Sequence, residues 1–155
     1  MAPQIQTGRQ APDFTLTDHE GRQVRLSELH DRRVVVFFYP KAFTPGCTSE
    51  ACDFRDNIAS LEALGVTVLG ISGDDPETLR RFAEEHHLPY RLLSDPDSAT
   101  ARAWGAWGEK TVNGQSTVGP LRSTFVIERD GTVSSAEHNV RAEGHVAGLR
   151  HRLAG

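Results

Sequence analysis

Six apolar residues in unbroken succession, VVVFFY at 34–39, stop at Pro40. A strand with one wet face alternates apolar and polar residues, and a strand covered on both faces does not. The run therefore predicts a central strand, and a central strand needs a sheet with something packed on each side. It is also far short of the ~20 residues needed to cross a bilayer. At 155 residues with 37% apolar and 25% charged side chains, the chain has the length of one domain and a composition outside the disordered regime.

The elements around that strand follow from local pattern. Phe14 and Leu16 alternate with Thr15 and Thr17, and Val24 and Leu26 flank Arg25 beyond a polar turn at 18–21, which predicts an N-terminal hairpin. Cys47, Ala51, Phe54, Ile58 and Leu61, spaced four, three, four and three, mark one stripe of a helix ending near Gly65. Val66, Val68, Leu69 and Ile71 predict the next strand, and Asp75 with Pro76 is an N-cap and N1 pair for a helix through His86. A strand at 91–93, a short helix within 96–104 and a long loop at 105–121 carrying four glycines come next. A second hairpin joins 124–128 to 133–137 across Asp130 and Gly131, and a last helix is expected over about 143–153. Strands alternating with helices, plus terminal hairpins that must pair antiparallel, define an α/β chain with a mixed sheet and helices on both faces.

Several classes of function are disfavoured. The 17 Lys and Arg against 21 Asp and Glu give a net charge of -4 with the signs interspersed, so no nucleic-acid partner is expected. The first residues, MAPQIQTGRQ, lack a basic segment followed by an apolar one, and a cytoplasmic location with no membrane partner is expected. Gly65 and Gly70 do not approach a phosphate-binding GxGxxG. His86 and His87 are adjacent and His145 and His151 six apart, so neither pair shares a helical face; surface or capping roles suffice for these and for His138. Trp104 and Trp107 could form a contact face for a reductase or part of the core.

Thr44, Pro45, Gly46 and Cys47 sit where strand gives way to helix, with Thr44 as N-cap, Pro45 as N1 and Cys47 as N3. In that register the Thr44 side-chain oxygen is expected to accept the Cys47 amide. The remaining amides and the positive end of the helix favour a thiolate at Cys47. A lone cysteine on a core stripe reads more readily as a small buried hydrophobe. The cap chemistry and a second cysteine, Cys52, make a nucleophile the better reading. On an intact helix, Cα atoms five residues apart are roughly 8.7 Å from each other, beyond the ~7 Å limit for a disulfide. Pairing of Cys47 with Cys52 would therefore require the helix to unwind locally. The same spacing lacks a zinc-type ligand set, and no metal or other cofactor is expected.

The segment YPKAFTPGCTSEACDFRD at 39–56 resembles the active-site segment of the peroxiredoxins, specifically the bacterioferritin comigratory protein or peroxiredoxin Q group, with its PxxxTxxC motif. The likeness continues through GRQAPDFTL, LLSDP, WGEK, RSTFVI and NVRAEGHV. It implies one thioredoxin-like domain over residues 1–155 and a thiol peroxidase acting on hydrogen peroxide and organic hydroperoxides. By the same resemblance Cys47 is the peroxidatic cysteine and Cys52 the resolving one. Pro40 shields the sulfur, Thr44 hydrogen-bonds the peroxide, Arg122 stabilises the thiolate, and Glu50 positions the arginine. The implied reductant is thioredoxin or a glutaredoxin-like dithiol protein, and the implied state is a monomer. A one-cysteine peroxidase, in which Cys52 does not resolve, and a noncatalytic thioredoxin-like module are the alternatives. A thiol–disulfide oxidoreductase is disfavoured, because the spacing is CxxxxC rather than CxxC.

Overall fold

The computed structural model describes residues 5–112, 114–142 and 144–154. β1 (Thr15–Asp18) and β2 (Gln23–Arg25) form the N-terminal hairpin, followed by a 3-10 turn at Leu26–Leu29. Then come β3 (Arg33–Phe38), α1 (Pro45–Asp56), α2 (Ile58–Ala63), β4 (Val66–Ser72), α3 (Pro76–His86) and β5 (Arg91–Ser94). The second half holds α4 (Ala99–Ala103), β6 (Trp107–Val112), β7 (Gln115–Pro120), β8 (Ser123–Ile127), β9 (Val133–Glu137) and α5 (His145–Ala154).

Seven strands make one mixed sheet in the order β2-β1-β5-β4-β3-β8-β9. β3, β4 and β5 run parallel, while β8 lies antiparallel to β3 and β1 antiparallel to β5. β3 is interior to the sheet, and none of Val34, Val35, Val36, Phe37 and Phe38 is more than 2% exposed. Their side chains alternate between two cores. Val35, Phe37 and Tyr39 pack beneath α1, α2, α3 and α5, while Val34, Val36 and Phe38 pack against Phe14, Leu26, Ala101 and Trp104 on the opposite face. The expected layering of helices on both faces is thus observed.

Placement of α1 depends on a glycine in β4. Gly70 pairs with Phe37, and a Cβ on Gly70 would lie 2.8 Å from the Phe37 ring. The vacant space lets Phe37 stack on Phe54 of α1, with centroids 4.3 Å apart and planes 18° from parallel. Stacked and edge-on aromatic pairs add about 0.5–1.5 kcal/mol beyond the area they bury.

Two sequence expectations are corrected, and a third, left open, is decided. The helix expected from Cys47 to near Gly65 is two helices, because Asn57 (φ -107°, ψ 5°) ends α1. Its side-chain amide donates to the Asp53 carbonyl at 2.8 Å and competes with the helical ladder. The apolar stripe nevertheless runs on through the break to Leu61, which is fully buried. Residues 105–121 are no loop, since β6 and β7 pair antiparallel from Trp107 opposite Pro120 to Val112 opposite Gln115. Most of β7 is exposed, so the alternation that betrays a half-buried strand never develops. Trp104 is wholly buried, and Trp107 is half-buried with the Arg102 guanidinium 5.2 Å from its ring. Trp104 is therefore core and not a contact face. Among the described residues no helix is long and apolar enough to cross a membrane.

Candidate active site

β3 delivers the chain to the C-terminal edge of the parallel strands, and Tyr39 extends the pairing by donating its amide to the Ile71 carbonyl at 3.1 Å. Pro40 breaks the ladder, having no amide to donate. Thr44 then adopts the extended conformation of an N-cap (φ -84°, ψ 151°) and Pro45 opens α1, as the register predicts. The cap itself differs from expectation. Thr44 makes no side-chain cap bond, and its hydroxyl donates instead to the Lys41 carbonyl at 2.8 Å. A hydroxyl whose proton is committed in this way keeps its lone pairs for an incoming O–H donor.

Cys47 is 2% exposed and Glu50 fully buried, one turn apart on the inner face of α1. Arg122, between β7 and β8, reaches both. Its Nη1 donates to Glu50 Oε1 at 2.7 Å and its Nη2 to Cys47 Sγ at 3.3 Å. Burial works against the guanidinium charge, yet Glu50 and Cys47 beside it hold its pKa above the ordinary arginine value. Burial likewise pushes the Glu50 carboxyl up to about 7, against the opposing charge and hydrogen bond of Arg122. A cation fixed at hydrogen-bond distance from the sulfur stabilises negative charge there, and the planar fork gives that charge a direction. Cys52 lies further along the unbroken α1, half-buried, and both cysteines are free thiols.

The structure brings Cys47, Glu50 and Arg122 into direct contact and puts Pro40 and Thr44 on the loop leading into the same helix end. Two contributors escaped the sequence reading. Gly46 is one, because a Cβ there would lie 3.2 Å from Arg122 Nη2. A side chain there would press on the guanidinium, which would have to give by a few tenths of an ångström; the TPGC order held that signal. The other is His145, which opens α5 with its Nε2 2.7 Å from Thr124 Oγ1, two residues beyond Arg122. Burial lowers its pKa, with Glu137 acting in the opposite sense. His138 is also half-buried, with Nε2 3.2 Å from the Ile5 carbonyl and its ring edge-on to Phe125. Of the surface or capping roles expected, a surface role therefore fits neither. Among the described residues no three His, Cys, Asp or Glu side chains gather to hold a metal ion.

Known proteins share this fold. The AhpC/TSA family profile matches residues 7–136. Peroxiredoxin Bcp of Escherichia coli is 45% identical over 141 residues, covering 91% of this chain and 90% of that protein. Among solved structures, a bacterioferritin comigratory protein of Xanthomonas campestris, described for its alkyl peroxide reduction activity, superposes with a TM-score of 0.88. It is 30% identical and covers 96% of this chain and 98% of that one. A peroxiredoxin Q mutant from Xylella fastidiosa gives a TM-score of 0.91 at 26% identity, covering 99% and 98%. The chain accordingly belongs to the AhpC/TSA family and, within it, to the bacterioferritin comigratory protein or peroxiredoxin Q group of thioredoxin-fold peroxiredoxins, which are thiol peroxidases.

Proposed function

We propose that Cys47 is the thiol that meets the peroxide and that Cys52 resolves the product. The Cys47 thiolate attacks one oxygen of hydrogen peroxide or an organic hydroperoxide, the O–O bond breaks, and the departing oxygen takes a proton and leaves as water or alcohol. Cys47 is left as a sulfenic acid. The Cys52 thiol then displaces water from it to form an intramolecular disulfide, and a dithiol protein of the thioredoxin or glutaredoxin type restores both thiols by exchange. Such a cycle suits a monomer in a reducing compartment such as the cytoplasm.

The observation that carries the reading is the double contact of Arg122 with Cys47 and Glu50. That cation is placed to stabilise both the attacking sulfur and the charge developing on the leaving oxygen. The continuity of α1 across Cys47 and Cys52 supports a second reading, in which an external thiol resolves Cys47 and the helix never unwinds. Intact mass and nonreducing peptide mapping after one equivalent of hydrogen peroxide separate the two. The proposed cycle gives a two-dalton loss with a Cys47 to Cys52 link in the wild type, and a trapped sulfenic acid in Cys52→Ser. A stable sulfenic acid on wild-type Cys47 would establish the one-cysteine route instead.

A further inference from the structure

The loop at 40–43 cannot hold its shape by its own preferences. Phe43 has φ +66° while remaining 46% exposed, a left-handed backbone that costs an aromatic residue about 1–3 kcal/mol. Pro40 has no amide, and Ala42 is buried, so its amide needs an acceptor from elsewhere in the chain. That acceptor is Asp74, in the connection between β4 and α3, whose Oδ2 takes the Ala42 amide at 2.8 Å.

Asp74 is itself anchored from three directions. The Ser72 hydroxyl donates to the same Oδ2 at 2.7 Å, and the Asp74 amide donates back to Ser72 Oγ at 3.3 Å. The Ser94 hydroxyl donates to the Asp74 carbonyl at 2.7 Å. Ser72 and Ser94 are the last residues of β4 and β5 and are paired across the sheet. The Asp74 carboxylate therefore ties the end of β4 to the loop that leaves β3, and its backbone carbonyl is held by the end of β5.

We infer that Asp74 is a positioning residue for the peroxidase reaction, holding the 40–44 loop so that Pro40 and Thr44 face an incoming peroxide in line with Cys47. Its effect passes through backbone: Asp74 fixes Ala42, the neighbouring Lys41 carbonyl receives the Thr44 hydroxyl, and that bond orients the oxygen offered to the peroxide. The sulfur is held independently, by Arg122. Asp74 thus governs where the peroxide sits and leaves the nucleophilicity of Cys47 unchanged. The inference rests on the reading of Cys47 as the peroxide-reacting thiol.

Two reactions of Cys47 test it on the same samples, the second-order rate with hydrogen peroxide and the rate of alkylation by iodoacetamide, a reagent that makes no use of peroxide orientation. Asp74→Ala should lower the peroxide rate about 10-fold or more and leave alkylation within about 2-fold of wild type. Asp74→Asn keeps an oxygen acceptor for the Ala42 amide and should recover most of the peroxide rate. An unchanged ratio of the two rates in Asp74→Ala, whether both fall together or neither falls, overturns the inference, as does a failure of Asp74→Asn to recover. A wild type whose peroxide reactivity survives Cys47→Ser would instead sink the underlying reading and the inference with it.

Discussion

Residues 45–50 of α1 are held by charge and directed hydrogen bonds, from Arg122 to Cys47 and Glu50, with no side-chain cap. Residues 51–56 are held mainly by packing. Phe54 is fully buried between Phe37 and Tyr90, the Tyr90 hydroxyl donates to the Ala51 carbonyl at 2.7 Å, and Arg55 Nη1 donates to the His86 carbonyl at 2.7 Å. Directed contacts can be broken and remade when the sulfur changes chemical state, whereas apolar burial is indifferent to it. One helix thus combines a part that can respond to oxidation with a part that resists it.

The largest effect on stability should come from the packed half. Phe54→Ala should lower the unfolding free energy by about 3–5 kcal/mol in urea titrations, while peroxide reactivity per folded molecule stays within a few-fold of wild type. Arg122→Lys keeps the charge but loses the fork, and should reverse that pattern. Stopped-flow measurement should show a 10- to 100-fold slower peroxide reaction, the range of about 1.5–3 kcal/mol that a charge-assisted hydrogen bond supplies, with little change in the urea midpoint.

Glu50 joins the two properties through pH. Its carboxyl is raised in the folded chain from the ordinary 4.5 to about 7, so the native state holds this proton more tightly than the unfolded chain. The stability it contributes is fully present below about pH 4.5 and is lost as pH rises through about 7. The stability difference between wild type and Glu50→Gln should therefore fall over that window, by at most about 1.4 kcal/mol per pH unit for one proton. A flat or rising difference would show Glu50 ionised throughout. The smallest effect is expected at the boundary of the two halves. Tyr90→Phe removes one hydrogen bond, worth about 0.5–1.5 kcal/mol, and should speed disulfide formation by about 2- to 10-fold in quenched-flow mass measurements if that bond restrains the unwinding.

The legibility of the chain follows the same division between burial and direction. The run at 34–39, the stripe from Cys47 to Leu61 and the Asp75 cap were readable because burial imposes periodicity and caps have few chemistries. β6 and β7 were not, because strands standing apart from the main sheet bury too little to leave a pattern. That Cys47, Glu50 and Arg122 meet was legible through the family resemblance. The partner of the Thr44 hydroxyl was not, since the Lys41 carbonyl and the Cys47 amide lie equally close in sequence and only the loop geometry chooses between them. Asp74 escaped for a similar reason, lying 32 residues from the amide it holds.

Hydrogen exchange along α1, compared between the reduced chain and the chain oxidised by one equivalent of hydrogen peroxide, tests the division of the helix most directly. Protection should be lost at the amides of residues 48–52, where Cys47 must swing toward Cys52, and retained at residues 55–57, whose carbonyl partners lie in the packed half. Unchanged protection throughout a sample shown to carry the Cys47 to Cys52 disulfide, or loss along the entire helix, would contradict it.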